Sequence, residues 1–295
     1  MMRRIKLLIL PVVALAWAAL SMNAQNAVQP YFTTHELPNL IKCLPPPPDT
    51  IGEHFVHDIM RYMWGKQQRL DPERAAIARR DAVWSYEALF AEFNVPFGLT
   101  ISRENTPEIW KLLETSLVTT DQMRVEPKAF YKRMRPYVRF HEHILTYDNE
   151  EDEVELGKEG SYPSGHTMRG WTTALLLAEI NPAKADTIYA RGWMYGESRV
   201  IVGAHWQSDI DATRVAASIG YASLHTSAAF REQMAKAQAE FAEKTGQQVS
   251  GVKRVTTTSV PSGNKGTYDL QGRRLDKAPD KGLYIDASQR RVMAK

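Results

Sequence analysis

The sequence has little cysteine and little net charge, and each shortage argues against a class of protein. Its 295 residues include one cysteine, Cys43, so no disulfide can form within the chain. The formal net charge is +3, and residues 25–250 hold 24 basic against 30 acidic residues, a balance that disfavours nucleic-acid binding. With 43% apolar and 24% charged residues, the chain has the composition of a globular protein with a hydrophobic core.

Long apolar runs are also scarce, and the one present lies at the N-terminus. Met1–Lys6 is positively charged, and the 14 residues Leu7–Leu20 are apolar, which is shorter than the roughly 20 residues that a membrane-spanning helix needs. This layout predicts a signal peptide, residues 1–24, with a retained anchor as the alternative. We therefore expect a periplasmic, secreted or cell-surface protein with no integral membrane association after cleavage.

Helical signals dominate after a proline-rich start. Residues 25–50 contain Pro30, Pro38 and the run Pro45–Pro48, which favours an extended strap without helix. Beyond it, apolar residues at helical spacing and N-terminal capping signals predict a series of helices. Their expected ranges are 72–93, 106–117, 167–180, 183–198, 205–225 and 227–244. The sequence thus predicts an all-α domain, a multi-helix bundle, over residues 25–246.

The composition changes after Thr245. Residues 247–264 are typical of a linker, and residues 265–295 contain short strand-like pieces around turns, which predict a small β-type segment. Two stretches in that segment, Tyr268–Arg274 and Lys281–Ile285, resemble C-terminal segments of bacterial proteins exported by the type IX secretion route. This resemblance implies a sorting tag and a Gram-negative bacterium.

Lys128 and Arg135 form the first of three clusters of chemically suggestive residues. They are seven residues apart, so on one continuous helix they would share a face. Other cations crowd the region, among them Arg124 and Arg133. A solvated basic stripe is therefore the alternative to a binding site.

The second cluster is the string Gly160–Thr167, directly before an apolar helix. Ser164 is a natural N-cap, and Gly165 would let an anion approach the free backbone N–H groups at the positive end of the helix dipole. His166 lies on the first turn. The alternative is a turn and a cap with an incidental histidine.

The third cluster consists of Arg199, His205 and Asp209. His205 and Asp209 are four residues apart, so on a helix the carboxylate could accept a hydrogen bond from the imidazole and fix its tautomer. A purely structural histidine–aspartate pair is the alternative.

Together the clusters suit a tetrahedral dianion. They supply three cations, a helix-start anion site and two histidines, one available for attack and one for proton donation. A metal suits them less, because the sequence has no His-x-x-x-His or cysteine pair and the cations would repel it. The acidic run at residues 148–153 lacks the spacing of a calcium loop and is expected to be a solvated loop. We expect neither a metal nor a cofactor.

The three motifs resemble a known signature. Lys-x6-Arg-Pro, Pro-Ser-Gly-His and Ser-Arg-x5-His-x3-Asp are shared in this order by class A bacterial non-specific acid phosphatases, type 2 phosphatidic acid phosphatases and vanadium haloperoxidases. The likeness to the class A acid phosphatases is strongest, because Gly160–Thr167, Ala178–Pro182 and His205–Asp209 are also similar to theirs. Val202 departs from the pattern, since members often have there a cysteine bridged to a second one.

The resemblance implies an all-α fold of the acid phosphatase/vanadium haloperoxidase type and an activity. That activity is metal-independent hydrolysis of phosphomonoesters at acid pH through a phosphohistidine, with phosphate transfer to alcohols as an accompanying reaction. It implies that His205 attacks phosphorus, that Asp209 orients His205 and that His166 protonates the leaving group. The implied phosphate-binding residues are Lys128, Arg135, Ser164, Gly165 and Arg199. Small phosphomonoesters are then the expected partners, and oxyanions such as vanadate the expected inhibitors.

These roles carry a prediction about protonation. His205 must be neutral to attack while His166 must be protonated to donate, so we expect opposed shifts in their pKa values and an acid-side optimum. Three other functions remain open: a vanadate-dependent haloperoxidase, a nucleotide-preferring apyrase-like phosphatase, and a surface-displayed binding module with an inert phosphate site. A homo-oligomer is also left open.

Overall fold

The computed structural model describes residues 28–146 and 150–246, with short strand pieces at 267–268, 274–277, 283–286 and 291–294. The predicted signal peptide, residues 1–24, and the predicted linker, residues 247–264, lie outside the described residues. The chain divides into two compact units, residues 1–249 and 250–295.

The described part of the first unit is all-α, as the sequence predicts. The helices are α1 (Leu40–Cys43), α2 (Glu53–Gln68), α3 (Pro72–Arg80), α4 (Tyr86–Ala91), α5 (Asn94–Phe97), α6 (Pro107–Asp121), α7 (Val125–Tyr131), α8 (Pro136–Phe140), α9 (Glu150–Lys158), α10 (Gly165–Ile180), α11 (Ala185–Ile201), α12 (Gln207–Leu224) and α13 (Ala228–Thr245). Short 3₁₀ turns occupy Thr34–Glu36, Gln122–Arg124 and Pro182–Lys184. Among the described residues, no helix combines the length and the apolar character needed to cross a bilayer.

Local capping fixes where several of these helices begin. Asp71 accepts hydrogen bonds from the backbone N–H groups of Glu73 and Arg74, and Pro72 occupies the first helical position of α3. Ser85 caps α4, Ser164 caps α10 and Ser227 caps α13 through their side chains. The cap of α10 matters most for function, because it sets the position of the string Gly160–Thr167.

Helix α10 lies at the centre of the bundle. It packs against α11, α12 and α6, while α6 packs against α13. A Cβ at Gly170 would lie 2.4 Å from Cδ1 of Tyr195, and one at Gly192 would lie 2.5 Å from Cβ of Ala174, so the two glycines allow the close approach of α10 and α11. This close packing fixes the start of α10 relative to Arg199 near the end of α11.

The proline-rich segment lies on the helical domain but is not free of helix. Leu37, Leu40 and Leu44 are buried against the bundle, and the hydroxyl of Tyr162 donates to the carbonyl of Pro45 at 2.6 Å. The expectation of a strap without helix is wrong at α1. There the side chain of Asn39 accepts from the backbone N–H of Ile41, which stabilises one turn of helix.

The predicted helix through residue 93 is in fact interrupted after Arg80. Asp81 is fully buried and receives hydrogen bonds from Arg191 and from the hydroxyl of Ser198, so tertiary contacts hold the chain away from the helical path. Ser85 then starts α4. The break places Ala82–Trp84 beside the start of α10, where it matters for the site.

The acidic run at residues 148–153 is not the solvated loop that the sequence predicts. Residues 147–149 lie outside the description, but α9 begins at Glu150. Glu153 is buried, and its carboxylate accepts from the backbone N–H of Ile144 at 2.9 Å and pairs with Nδ1 of His143 at 2.8 Å. These partners anchor α9 to the segment before it, since a buried carboxylate needs such partners.

The second unit contains a small antiparallel sheet of β1 (Thr267–Tyr268), β2 (Arg274–Leu275), β3 (Leu283–Asp286) and β4 (Arg291–Ala294), in the order β2-β1-β3-β4. Thr267 lies opposite Leu275 on one side and Asp286 on the other. The strands confirm that the chain contains a small C-terminal β segment in addition to the all-α domain.

Candidate active site

The three motifs converge at one end of α10. Lys128 lies on α7, Arg135 precedes α8, Ser164, Gly165 and His166 start α10, Arg199 lies near the end of α11, and His205 and Asp209 flank the start of α12. Lys128 and Arg135 do not share a helix face as expected: α7 ends at Tyr131, and Lys132 takes a left-handed conformation with φ 44° that redirects the chain. The two cations reach the site from separate elements.

His205 is buried, and one ring nitrogen faces a hydrogen-bond donor while the other faces an acceptor. Nη1 of Arg135 lies 3.1 Å from Nε2, and Oδ2 of Asp209 lies 3.4 Å from Nδ1. Because an arginine can only donate, Nε2 carries the lone pair and Nδ1 carries the proton that faces the carboxylate. His205 precedes α12 rather than lying on it, since that helix begins at Gln207, yet the predicted contact with Asp209 is confirmed.

Arg135 is held by backbone carbonyl groups. Its Nε donates to Leu156 at 2.9 Å and to Glu159 at 3.2 Å, and its Nη1 donates to the carbonyl of Ala204 at 3.0 Å. Only 2% of its surface is exposed. A buried guanidinium fixed beside Nε2 of His205 supplies positive charge at the atom that could attack an electrophile.

Lys128 brings a second buried cation. Its Nζ donates to the carbonyl of Gly160 and lies 4.0 Å from the exposed carboxylate of Glu159. Burial and the positive charge of Arg135 lower the pKa of Lys128 to about 7. The ammonium group therefore exists on the acid side of neutrality and is lost as the pH rises above it.

Ser164 and Gly165 form the start of α10, where an anion site is predicted. The hydroxyl of Ser164 accepts from the N–H of Thr167, and the N–H of Ser164 donates to the hydroxyl of Thr213 at 2.8 Å. Thr213 in turn donates to the backbone carbonyl of Asp209. The hydrogen bonds thus join the start of α10 to the helix that carries the carboxylate partner of His205.

His166 lies at the same helix start, in a more open position. Its Nε2 lies 3.0 Å from the carbonyl of Ala82, which can only accept, so Nε2 carries a proton. The indole of Trp84 lies against the imidazole at a centroid distance of 4.6 Å. Although the ring keeps some exposed surface, dense packing removes most of its hydration, and this desolvation together with the charge of Arg199 lowers the pKa of His166.

Arg199 completes the set of predicted residues. It is 3% exposed, and its backbone carbonyl accepts from the N–H groups of Ala204 and His205 at 3.1 and 3.3 Å. Its guanidinium is near enough to His166 to lower the pKa of that histidine. Arg199 thus links the two histidines of the site.

The prediction of opposed pKa shifts for the two histidines is wrong. Burial and the charge of Arg135 lower the pKa of His205, and burial and the charge of Arg199 lower the pKa of His166. The cause is common to both, because a buried site with several cations disfavours a further positive charge on either ring. In this site both imidazoles are neutral near pH 7.

Sequence reasoning missed the residues that hold Asp209. Arg133 donates from Nη1 to Asp209 and from Nη2 to Asp58 at 2.7 Å, and Ser161 donates to the other oxygen of Asp209. Burial alone would raise the pKa of Asp209, but Arg133 and the hydrogen bonds from His205 and Ser161 outweigh it and hold that pKa well below its usual range. Asp209 is therefore a permanent anion.

Some sequence signals for these residues existed. Arg133 is one of the cations near Lys128, and Ser161 belongs to the string Gly160–Thr167. Neither pattern indicates that the residue contacts Asp209. Asp58 lies on α2, 75 positions before Arg133, and has no motif around it. Within the described residues, no group of three or more His, Cys, Asp or Glu side chains is placed to hold a metal ion.

Comparisons with known proteins identify the family of the chain. Residues 110–232 match the model of the PAP2 superfamily. The chain is 38% identical over 214 residues to a non-specific acid phosphatase of Providencia stuartii, an alignment that covers 72% of this chain and 85% of the relative. It is 37% identical over 223 residues to a non-specific acid phosphatase of Salmonella typhimurium, covering 75% and 88%. An acid phosphatase of Zymomonas mobilis is 34% identical over 212 residues, covering 72% and 79%. The chain therefore belongs to the bacterial non-specific acid phosphatases of the PAP2 superfamily.

Proposed function

We propose that the protein is an acid phosphatase that hydrolyses phosphomonoesters through a phosphohistidine at His205, without a metal ion. The observation that carries the proposal is the pair of contacts on one buried imidazole: Arg135 at Nε2 and Asp209 at Nδ1. They leave the lone pair on the nitrogen that lies among the cations. Membership of the acid phosphatase family supports the reaction class.

In the first step, Nε2 of His205 attacks phosphorus, and the bond between phosphorus and the leaving oxygen breaks. Asp209 stabilises the positive charge that develops on the ring as the N–P bond forms. His166 gives its proton to the departing alkoxide. The phosphoryl oxygens are bound by Lys128, Arg135, Arg199, the hydroxyl of Ser164 and the N–H of Gly165, which neutralise charge as phosphorus becomes five-coordinate.

In the second step, water attacks the phosphorus of the phosphohistidine. His166, now neutral, accepts the proton of that water, the P–N bond breaks, and inorganic phosphate leaves. An alcohol in place of water would give a new phosphomonoester by the same path. We therefore include phosphate transfer to alcohols in the proposal.

The acid optimum follows from charge balance in the complex. A bound phosphomonoester dianion beside His166 offsets the effect of Arg199 and raises the pKa of that histidine, which lets it hold a proton. The lowered pKa of His205 keeps its lone pair available at acid pH. In the free enzyme Lys128 loses its charge above about pH 7, so kcat/KM then declines there. Vanadate, a tetrahedral oxyanion, should compete for the same groups.

We also propose that the protein acts outside the cytoplasm, in the periplasm or at the surface of the cell. The positively charged and apolar start of the sequence supports export. Fractionation of cells that express the full chain tests this: activity in the periplasmic, surface or medium fraction is expected, and activity confined to the cytoplasm would contradict it.

A panel of phosphomonoesters assayed in the presence of EDTA tests the reaction. We expect turnover that EDTA does not reduce and that falls by at least about 10⁴-fold in His205→Ala. The matched control is His57→Ala, because His57 is exposed on α2. Folded wild-type protein without turnover would favour an inert binding module, and halide oxidation after addition of vanadate and peroxide would favour a haloperoxidase.

A further inference from the structure

His205 lies on a short turn between two long helices. Residues 202–206, here called the His205 turn, separate the end of α11 at Ile201 from the start of α12 at Gln207. The last carbonyl groups of one helix and the first N–H groups of the next have no partner within their own helices. The position of His205 therefore depends on the groups outside these helices that bind them.

One face of α2 lies along the His205 turn. Asp58, Tyr62, Gly65 and Arg69 are spaced by four, three and four residues, so they lie on the same side of the helix. Arg69 directly follows α2 and keeps helical backbone angles. At 1.5 Å per residue, this α2 face is about 16 Å long, enough to reach both ends of a short turn.

Asp58 holds the start of α12. Its Oδ1 accepts from the backbone N–H of Ser208 at 2.8 Å, and its Oδ2 accepts from the hydroxyl of Ser208 at 2.6 Å. Ser208 is the second residue of α12, so its N–H is one of the groups that the helix itself leaves without a partner. The carboxylate is fully buried, and its negative charge also suits the positive end of the helix dipole.

Arg69 holds the end of α11. Its Nε donates to the carbonyl of Ile201, the last residue of that helix, at 2.6 Å. A guanidinium at this end suits the negative end of the helix dipole. Gly203, with φ 86°, allows the close approach, because a Cβ there would lie 2.6 Å from Nη2 of Arg69.

The two residues between Asp58 and Arg69 also contact this region. A Cβ at Gly65 would lie 2.8 Å from the carbonyl oxygen of Val200, so α2 packs directly on the backbone of α11. The ring centroids of Tyr62 and Trp206 are 6.1 Å apart, and Trp206 is the residue after His205. The α2 face thus contacts both helix ends and the turn between them.

We propose that the α2 face positions the attacking nitrogen of His205, with Asp58 and Arg69 as positioning residues at opposite ends of the turn. The inference rests on the proposed function, since it concerns the residue that would attack phosphorus. A displacement of about 1 Å at a reacting atom can cost about 10²-fold in rate. Most of the proposed phosphate-binding residues lie elsewhere, on α7, on α10 and before α8, so phosphate binding should survive a movement of the turn.

Arg69→Met is the first test, because it removes the donor to Ile201 and keeps a long side chain. We expect kcat on p-nitrophenyl phosphate to fall by about 10²-fold, while the Kd of inorganic phosphate changes by less than about threefold. Arg69→Lys keeps a cation and a donor at the helix end, so it should recover most of the rate. Arg69→Gln, which keeps a neutral donor, should lose about tenfold and replaces Arg69→Met if that variant does not fold.

Arg61→Met is the matched control. Arg61 is also a partly buried arginine of α2, but its hydrogen bonds reach the side chains of Glu197 on α11 and Gln207 on α12. We expect it to lower the thermal stability about as much as Arg69→Met and to keep kcat within about threefold of wild type. Losses of kcat that follow the loss of stability equally in both variants would overturn the proposal, because α2 would then serve only the fold.

Asp58→Asn tests the other end of the turn. The amide oxygen can still accept one hydrogen bond from Ser208, so we expect a smaller fall in kcat, about tenfold. The double variant with Arg69→Met should lose less than the product of the two single losses, since either change already frees the turn. A loss equal to that product would mean that Asp58 acts separately, through its contact with Arg133, and would overturn the shared role.

A measurement that needs no turnover separates this inference from the proposed function. Long-range ¹H–¹⁵N spectra of histidine-labelled protein report which ring nitrogen carries the proton, and His205→Ala assigns the signals. We expect a proton on Nδ1 of His205 in wild type and in Arg61→Met, and a mixture of tautomers in Arg69→Met, because the ring no longer faces Asp209 in one position. That result supports the role of the α2 face even if the wild type hydrolyses no phosphomonoester. If wild type is active, yet Arg69→Met matches it in kcat and in the ring signals, the inference is refuted and the phosphatase stands.

Discussion

The two histidines of the site are held in different ways. His205 is enclosed, with side chains at both ring nitrogens: Arg135 at Nε2 and Asp209 at Nδ1. His166 is partly exposed, and its Nε2 faces a backbone carbonyl, that of Ala82, beside the half-exposed Trp84. Charged side chains fix His205, the end of the site proposed to bind the phosphoryl group. One short segment between α3 and α4 shapes the surroundings of His166, the end proposed for the leaving group.

The largest effect is expected where the enclosed end is disturbed. Asp209→Asn keeps the size of the side chain but no longer favours a proton on Nδ1 of His205, and we expect kcat to fall by about 10⁴-fold. Steady-state kinetics on p-nitrophenyl phosphate measures it. The control is Asp211→Asn, two residues further on and half-exposed, which should keep nearly full activity. Similar activity in the two variants would show that the contact between Asp209 and His205 has no special importance for the reaction.

At the open end, the loss should depend on the leaving group. His166→Ala removes the proton donor, so we expect a fall of about 10³-fold with alkyl phosphates and a much smaller one with p-nitrophenyl phosphate, whose leaving group needs little protonation. A plot of log kcat/KM against the pKa of the leaving alcohol measures this and should become steeper in the variant. An unchanged slope would show that His166 is not the donor.

A smaller effect on kcat/KM is expected at Arg133, which contacts Asp209 and not His205 itself. Arg133→Gln removes the cation that holds the pKa of Asp209 well below its usual range, so that pKa should rise, and each unit of rise would cost about tenfold in kcat/KM at pH values below the pKa of the variant. The acid limb of the pH–rate profile should move to higher pH in Arg133→Gln. In Arg133→Lys, which keeps a cation, the limb should move less. A uniform loss at every pH would mean that Arg133 serves only the stability of the fold.

The smallest effect concerns the alkaline side of the profile. Because burial and Arg135 lower the pKa of Lys128 to about 7, kcat/KM of wild type should fall with rising pH from that point. Lys128→Arg keeps its charge, so its alkaline limb should begin at higher pH even if the absolute rate is lower. Coincident limbs in the two proteins would assign the decline to another group.

The sequence predicts where helices begin better than it predicts where a helix is broken. The N-caps Asp71 and Ser164 mark helix starts that the structure contains, because capping is local. The break after Arg80 depends on Asp81 binding Arg191, 110 positions away, which no local pattern encodes.

The candidate site shows the same difference between local patterns and long-range contacts. The predicted residues could be identified because each belongs to a short motif, and motif spacing is visible in a sequence. Arg133, Asp58 and Trp84 are held near the site by contacts between distant elements, and their side-chain types are common on surfaces or in cores. The direction of the pKa shift of His166 also depends on the summed charge of neighbours, which a list of motifs does not give.

The most direct test is to trap the covalent intermediate. Wild type and His166→Ala are mixed with a ³²P-labelled aryl phosphate, quenched within milliseconds and digested under alkaline conditions that preserve phosphohistidine. The account predicts label on the peptide that contains His205, a larger amount in His166→Ala because the second step is slowed, and none in His205→Ala. Turnover by wild type with no labelled protein, or with label on any other residue, would contradict it.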